Sequence, residues 1–143
     1  WKVLPEFVAK HPRYERIGLR ELCHLIHGVY ATNDVARLTT EMYLSDMIPA
    51  MRPADAFARM AHREIDRVLI DDLEGRITSI LLTPYPPGIP LLIPGERFNA
   101  TIVRYLKFAR FFNEQFPGFE TDIHGLVKTL VDGKAAYYVD CVR

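Results

Sequence analysis

Serine is nearly absent from this chain of 143 residues, occurring only at Ser45 and Ser79. Neither lies in the glycine-flanked turn that exposes a nucleophilic serine. Cysteine is as scarce. Cys23 and Cys141 are too few for a disulfide framework, and their places, on a helix face and in a strand, suit small hydrophobes. Charge of one sign is missing too: eighteen basic residues cancel eighteen acidic ones, which leaves no electrostatic footprint for nucleic acid or an anionic membrane surface. No apolar run approaches the ~18 residues a bilayer-spanning helix requires. No glycine-rich loop offers a phosphate cradle, because the nearest, Pro86-Pro87-Gly88, lacks an N–H on its first two residues. His24 and His27 are three apart on a helix, yet only Glu21 stands near them as a third ligand, so they read as solvated histidines rather than a metal pair. Asp71-Asp72 with Glu74 reads as a solvated turn rather than a catalytic pair.

What is present describes a globular domain. Hydrophobic residues make up 49% of the chain and charged residues 25%, a balance neither disordered nor membrane-embedded. A chain of this length buries roughly 70% of the surface its unfolded form exposes, enough for one core, so 1–143 is taken as a single domain. Residues 1–16, with Pro5 and Pro12, are expected to form an irregular arm. From 18 to 66 apolar residues recur at three- and four-residue spacing, as in Leu19, Leu22, Cys23, Ile26, Val29 and Tyr30, which predicts three short amphipathic helices. Residues 67–143 change period. Val68-Leu69-Ile70, the run Ile77 to Leu82 and Leu91-Leu92-Ile93 read as short strands. Asn99, which also opens a glycosylation-like tripeptide, reads as the N-cap of a long helix reaching Phe116. Pro117-Gly118 ends that helix. Asp132-Gly133 is a type I′ turn pair that closes a C-terminal hairpin. The expected class is α+β: three N-terminal helices, a small mixed sheet, one long helix and a β-hairpin.

The most informative segment runs from Thr83 to Glu96, PYPPGIPLLIPGE in its core. Five of the ten prolines fall between Pro84 and Pro94, flanked by Ile80-Leu81-Leu82 and Leu91-Leu92-Ile93 rather than by the polar residues of a solvated linker. Proline fixes φ and removes a donor, so the loop follows a stiff path with Tyr85 at its centre. Tyr85 either presents its hydroxyl and ring face to a ligand or seals the loop against its neighbours. Glu96 either faces a site or caps the helix that starts at Asn99. A second block, Phe116-Pro117-Gly118-Phe119-Glu120-Thr121-Asp122-Ile123-His124-Gly125, places Glu120, Asp122 and His124 at i, i+2 and i+4. Extended backbone would put all three on one face, to pair across an interface or to solvate an edge.

These two blocks resemble the C-terminal domain of the bacterial ornithine/lysine/arginine decarboxylases, and the similarity of order extends over nearly the whole chain. The resemblance implies a pyridoxal 5′-phosphate (PLP) enzyme of fold type I, whose cofactor lysine follows a histidine in a Ser-x-His-Lys setting. None of the lysines at 2, 10, 107, 128 and 134 follows a histidine. The PLP-binding domain is therefore expected upstream, with no cofactor or metal on this chain and no activity from it alone. A first residue of Trp1 rather than methionine fits a chain taken from a longer one. By resemblance, Tyr85, Thr83 and Glu96 line the substrate entrance, while Glu120, Asp122 and His124 lie at an interface or the site's periphery. The Phe-Glu-Thr-Asp-Ile-His-Gly form leans towards lysine or ornithine over arginine. A homodimer or larger homo-oligomer, a basic amino acid substrate, a cytoplasmic location and a role in acid resistance or polyamine supply are further implications. The alternative is a non-catalytic assembly or effector-binding module of the same fold, with Arg63, Arg67 or Arg97 serving a nucleotide effector.

Overall fold

A computed structural model describes residues 3–143; Trp1 and Lys2 of the expected arm lie outside the described residues. The chain opens with α1 (Pro5–Lys10) and a 3₁₀ turn (Pro12–Tyr14). The expected irregular arm is thus two short helical pieces. Pro5 and Pro12 are what start them: each occupies a first helical position, where a missing N–H leaves no bond unmade.

The three expected helices follow as α2 (Leu19–Thr32), α3 (Val35–Leu44) and α4 (Pro53–Ala61). Between α2 and α3, Asp34 adopts a left-handed conformation and turns the chain back. Leu22 of α2 packs with Val3, Tyr14, Phe112 and Phe116 in a small cluster near the N-terminus. Leu38 and Met42 of α3 enter the main core instead. The long helix α5 (Ala100–Gln115) is capped as expected, the Asn99 side-chain oxygen accepting from the Ile102 N–H at 2.9 Å. Its buried positions Ile102, Val103, Leu106 and Ala109 repeat at helical spacing and face the main core.

Among the described residues, seven strands form three small sheets. The two-residue strands β1 (Ile48–Pro49) and β4 (Glu96–Arg97) pair with each other. β2 (Ile65–Leu69) pairs with β7 (Lys134–Val142), which also pairs with β6 (Val127–Val131), in the order β2-β7-β6. The hairpin closes at Asp132 and Gly133, both at positive φ as a type I′ turn requires. β3 (Thr83–Tyr85) pairs with β5 (Asp122–His124).

The α+β class stands, but every ladder is antiparallel rather than mixed. The runs Ile77–Leu82 and Leu91–Ile93 supply only isolated bridges, Ile77 to Arg97, Thr78 to Cys141 and Leu82 to Leu92. Two features interrupt pairing there. The Thr78 hydroxyl donates to the Ile80 carbonyl at 2.7 Å, bending the chain on itself, and the prolines beyond Leu82 remove ladder donors. The apolar content of both runs is buried all the same: Leu82, Leu91 and Leu92 are fully enclosed with Phe98, Leu106 and Val139.

Candidate functional site at the proline-rich loop

The loop from Leu82 to Leu92 is gripped at its base and open at its tip. Leu82 and Leu92 exchange backbone bonds across the neck, with the Leu82 N–H donating to the Leu92 carbonyl at 2.9 Å and Leu91 N–H to the Leu82 carbonyl at 2.7 Å. Inside the loop the Gly88 N–H donates to the Pro84 carbonyl at 2.9 Å, and the Tyr85–Pro86 and Pro86–Pro87 bonds are cis. Gly88 has φ +79°, and a Cβ there would lie 3.0 Å from the Tyr85 ring. The tyrosine is laid across its own loop above Gly88, whose left-handed backbone favours glycine. From α3 the Tyr43 hydroxyl donates to the Ile89 carbonyl at 3.3 Å. Held this way, Tyr85 keeps 61% of its surface exposed.

β5 completes the face. Tyr85 stands opposite Asp122 and Thr83 opposite His124, and residues directly opposite in a ladder share one side of the sheet. The intervening pair, Pro84 and Ile123, points the other way and is buried. The His124 Nε2 lies 3.3 Å from an Asp122 carboxylate oxygen, and its ring centre is 6.3 Å from that of Tyr85. β5 docks closely because Gly125, at φ +96°, lets the chain pass the Leu81 carbonyl; a Cβ there would come within 2.5 Å of that oxygen. The Thr83 hydroxyl is buried and finds no hydrogen-bond partner among the described residues, a cost in free energy that packing elsewhere must offset.

Thr83, Tyr85, Asp122 and His124 are therefore brought together. Glu120 lies just outside β5, where its carboxylate accepts from the Gly118 N–H at 2.8 Å. Glu96 is elsewhere: in β4 it faces Pro49 and accepts from the Ile93 N–H at 2.9 Å. It closes the Pro94-Gly95 turn and leaves the helix cap to Asn99. Two of the three arginines expected as effector ligands are engaged within the fold. Arg67 forms a two-pronged pair with Asp140 at 2.8 and 3.1 Å, Arg97 donates to the Gly75 carbonyl, and Arg63 has left-handed backbone after α4. Asp71 is not merely a solvated turn residue. Its carboxyl is held below the usual carboxylate range by the Arg110 guanidinium and by Lys107, which fastens the 3₁₀ turn Ile70–Asp72 to α5. Burial pushes the Cys141 thiol up to about 12, while Cys23 is exposed.

Beside this face lies a cavity that the sequence pattern does not point to. It has a volume of about 340 Å³ and opens between β5, the hairpin and the end of α5, lined by Asn113, Glu120, Thr121, Asp122, Lys128 and Tyr137 among others. Its only sequence trace was a polar Asn113 on the apolar face of α5.

The family model described as Orn/Lys/Arg decarboxylase, C-terminal domain, matches residues 36–143. The chain belongs to this family. A lysine decarboxylase of Pseudomonas aeruginosa, LdcA, is 42% identical over 99% of the chain and 19% of its own length. The biodegradative arginine decarboxylase of Escherichia coli is 32% identical over 99% of the chain, again 19% of its own length. The structure of the Escherichia coli constitutive lysine decarboxylase superposes with a TM-score of 0.85 at 29% identity, covering 97% of this chain and 20% of that one. The decarboxylase C-terminal domain described here thus spans about a fifth of the length of the relatives it matches. No helix among the described residues is long and apolar enough to cross a membrane.

Proposed function

We propose that this domain serves a PLP-dependent basic amino acid decarboxylase by lining the mouth of the active site and supporting subunit assembly, with lysine or ornithine preferred over arginine. The observation that carries the reading is the rigid presentation of an exposed Tyr85 directly opposite Asp122, with His124 on the same face. A tyrosine ring face and a carboxylate together attract an alkylammonium group, the group that distinguishes a basic amino acid from others. Because the loop's backbone is fixed before any ligand arrives, little ordering entropy is lost on contact.

The described lysines do not fit a PLP site: Lys10, Lys128 and Lys134 are exposed and Lys107 is paired with Asp71. The cofactor belongs, in this proposal, to a preceding domain, and the chain alone is inactive. The higher identity to LdcA than to the arginine decarboxylase supports lysine within that lean. Exposed Leu44, Ile48 and Phe57, on the segment from α3 to α4, supply apolar surface for a homodimeric or larger assembly. A cytoplasmic location and a part in acid resistance or polyamine supply belong to the same reading.

The test is borohydride trapping of PLP, with CO₂ release from lysine, ornithine and arginine, on this chain and on a longer chain that ends in it. An adduct and CO₂ from the longer chain alone support the proposal. No adduct on either contradicts it.

A further inference from the structure

The cavity beside β5 has an unusual lining. Its floor holds two polar side chains that are almost wholly enclosed, Asn113 at 9% exposure and Tyr137 at 6%. Asn113 has firm work for one end of its amide: its oxygen accepts from the Thr121 N–H at 2.8 Å. The other end is loosely held, its nitrogen 3.4 Å from the Thr121 carbonyl and 3.5 Å from the Tyr137 hydroxyl. In that last contact the phenol is the acceptor, and among the described residues its own proton meets no acceptor. A buried phenol ordinarily finds one.

The rim carries charge of both signs. Lys128 sets its ammonium 5.7 Å from the centre of the Tyr137 ring, and among the described residues no carboxylate lies within salt-bridge distance of it. Glu120 and Asp122 complete the wall. The site therefore offers one ammonium and one phenolic O–H, donors suited to a carboxylate, beside two carboxylates suited to ammonium groups. Its formal charge is one negative overall. The complementary small molecule carries one carboxylate and two ammonium groups, for one positive charge overall, and a cavity of about 340 Å³ is at the small end of ligand pockets.

We propose that this cavity binds a free basic α-amino acid, with Lys128 and the Tyr137 hydroxyl taking the carboxylate and Asp122 and Glu120 taking the ammonium groups. The chemistry comes from the lining itself; its biological meaning, reception of substrate by this domain, rests on the decarboxylase reading. A diamine, which is the same molecule after loss of CO₂, leaves the Tyr137 proton without an acceptor and brings a second cation towards Lys128. The cavity thus favours substrate over product.

The experiment is an amide NMR titration of the 143-residue chain with L-lysine, 1,5-diaminopentane and norleucine, following Thr121, Tyr137 and the Asn113 side-chain amide. L-Lysine is expected to give saturable shifts, and the diamine and norleucine to bind at least tenfold more weakly. Lys128→Met should erase the preference for lysine over the diamine, and Glu120→Gln, which leaves the Tyr85–Asp122 pair intact, should reduce the preference for lysine over norleucine. A longer decarboxylase that ends in this chain gives an independent readout: there Lys128→Met should raise KM for lysine with kcat little changed. Absence of a saturable lysine shift, equal binding of the diamine, or an unaltered KM each overturns the proposal. The titration of this chain does not depend on PLP or on turnover, so the pocket can fail while the decarboxylase reading stands, and the reverse; the KM readout applies where the longer chain is active.

Discussion

The base and the tip of the proline-rich loop are made of similar residues and behave oppositely. Leu82, Leu91 and Leu92 at the base are fully enclosed, whereas Tyr85 and Ile89 at the tip keep 61% and 54% of their surface exposed. Burial holds the base, through contacts with α5 and β7. Backbone geometry holds the tip: three prolines in succession around Tyr85, a glycine beneath its ring and a hydrogen bond from Tyr43. The difference separates stability from function. An apolar side chain at the base contributes to the fold, and one at the tip is left free to meet something else.

The largest expected effect breaks the base. Leu92→Ala should cost about 2–5 kcal/mol by removing a fully enclosed side chain and leaving a cavity, read as a shift in the urea midpoint. Tyr85→Ala, by contrast, should change stability by no more than about 0.5 kcal/mol, as an exposed substitution does. Equal losses from the two would abolish the distinction.

Gly88→Ala acts at the tip through the backbone. A left-handed conformation costs a non-glycine residue about 1–2 kcal/mol, and the new Cβ would also press on the Tyr85 ring. The expected result is a moderate fall in melting temperature together with a displaced Tyr85 ring resonance. A stable variant with an unmoved ring would show that the loop does not position the tyrosine.

Acid probes the contact between the 3₁₀ turn and α5. The folded pKa of Asp71 is depressed, first by its hydrogen bond to Arg110. Its contribution is therefore complete above the unfolded carboxyl value of about 4 and is lost as pH falls through the lower folded value. Wild type should exceed Asp71→Asn in stability at neutral pH, with the gap closing only below about pH 4. A gap that persists unchanged at lower pH would remove the ion pair from the explanation.

The smallest effect is a silence. Cys23 is exposed, and the buried Cys141 thiol is pushed up to about 12. A thiol reagent at mildly alkaline pH should label one cysteine in the folded chain and two after denaturation. Rapid labelling of both would mean that β7 opens readily beneath the core.

Much of this was legible in the residues because local physics governed it. The helical spacing of α2 to α5, the Asn99 cap and the Asp132-Gly133 turn each depend on a few neighbouring side chains, and each appears where the pattern placed it. The proline-rich loop was readable for the same reason, since proline stiffens whatever surrounds it. Pairing was less accessible. Nothing in Ile77–Leu82 announces that the Thr78 hydroxyl will turn the chain and reduce a strand to a bridge. The cap alternative for Glu96 gives way to Asn99 because the Glu96 carboxylate takes the Ile93 N–H, a partner available only once the Pro94-Gly95 turn is closed. The cavity of Asn113, Lys128 and Tyr137 joins a helix to a hairpin, a juxtaposition that one sequence does not spell out.

The central claim is that the exposed tip of this loop meets a basic amino acid at the entrance of a decarboxylase. The direct measurement is kcat/KM for lysine in a decarboxylase ending in this chain, with Tyr85 replaced by alanine and the melting temperature recorded alongside. The account predicts a fall of about tenfold or more, equivalent to at least about 1.4 kcal/mol of transition-state stabilisation, with melting little changed. An unaltered kcat/KM in a fully folded Tyr85→Ala enzyme would contradict it.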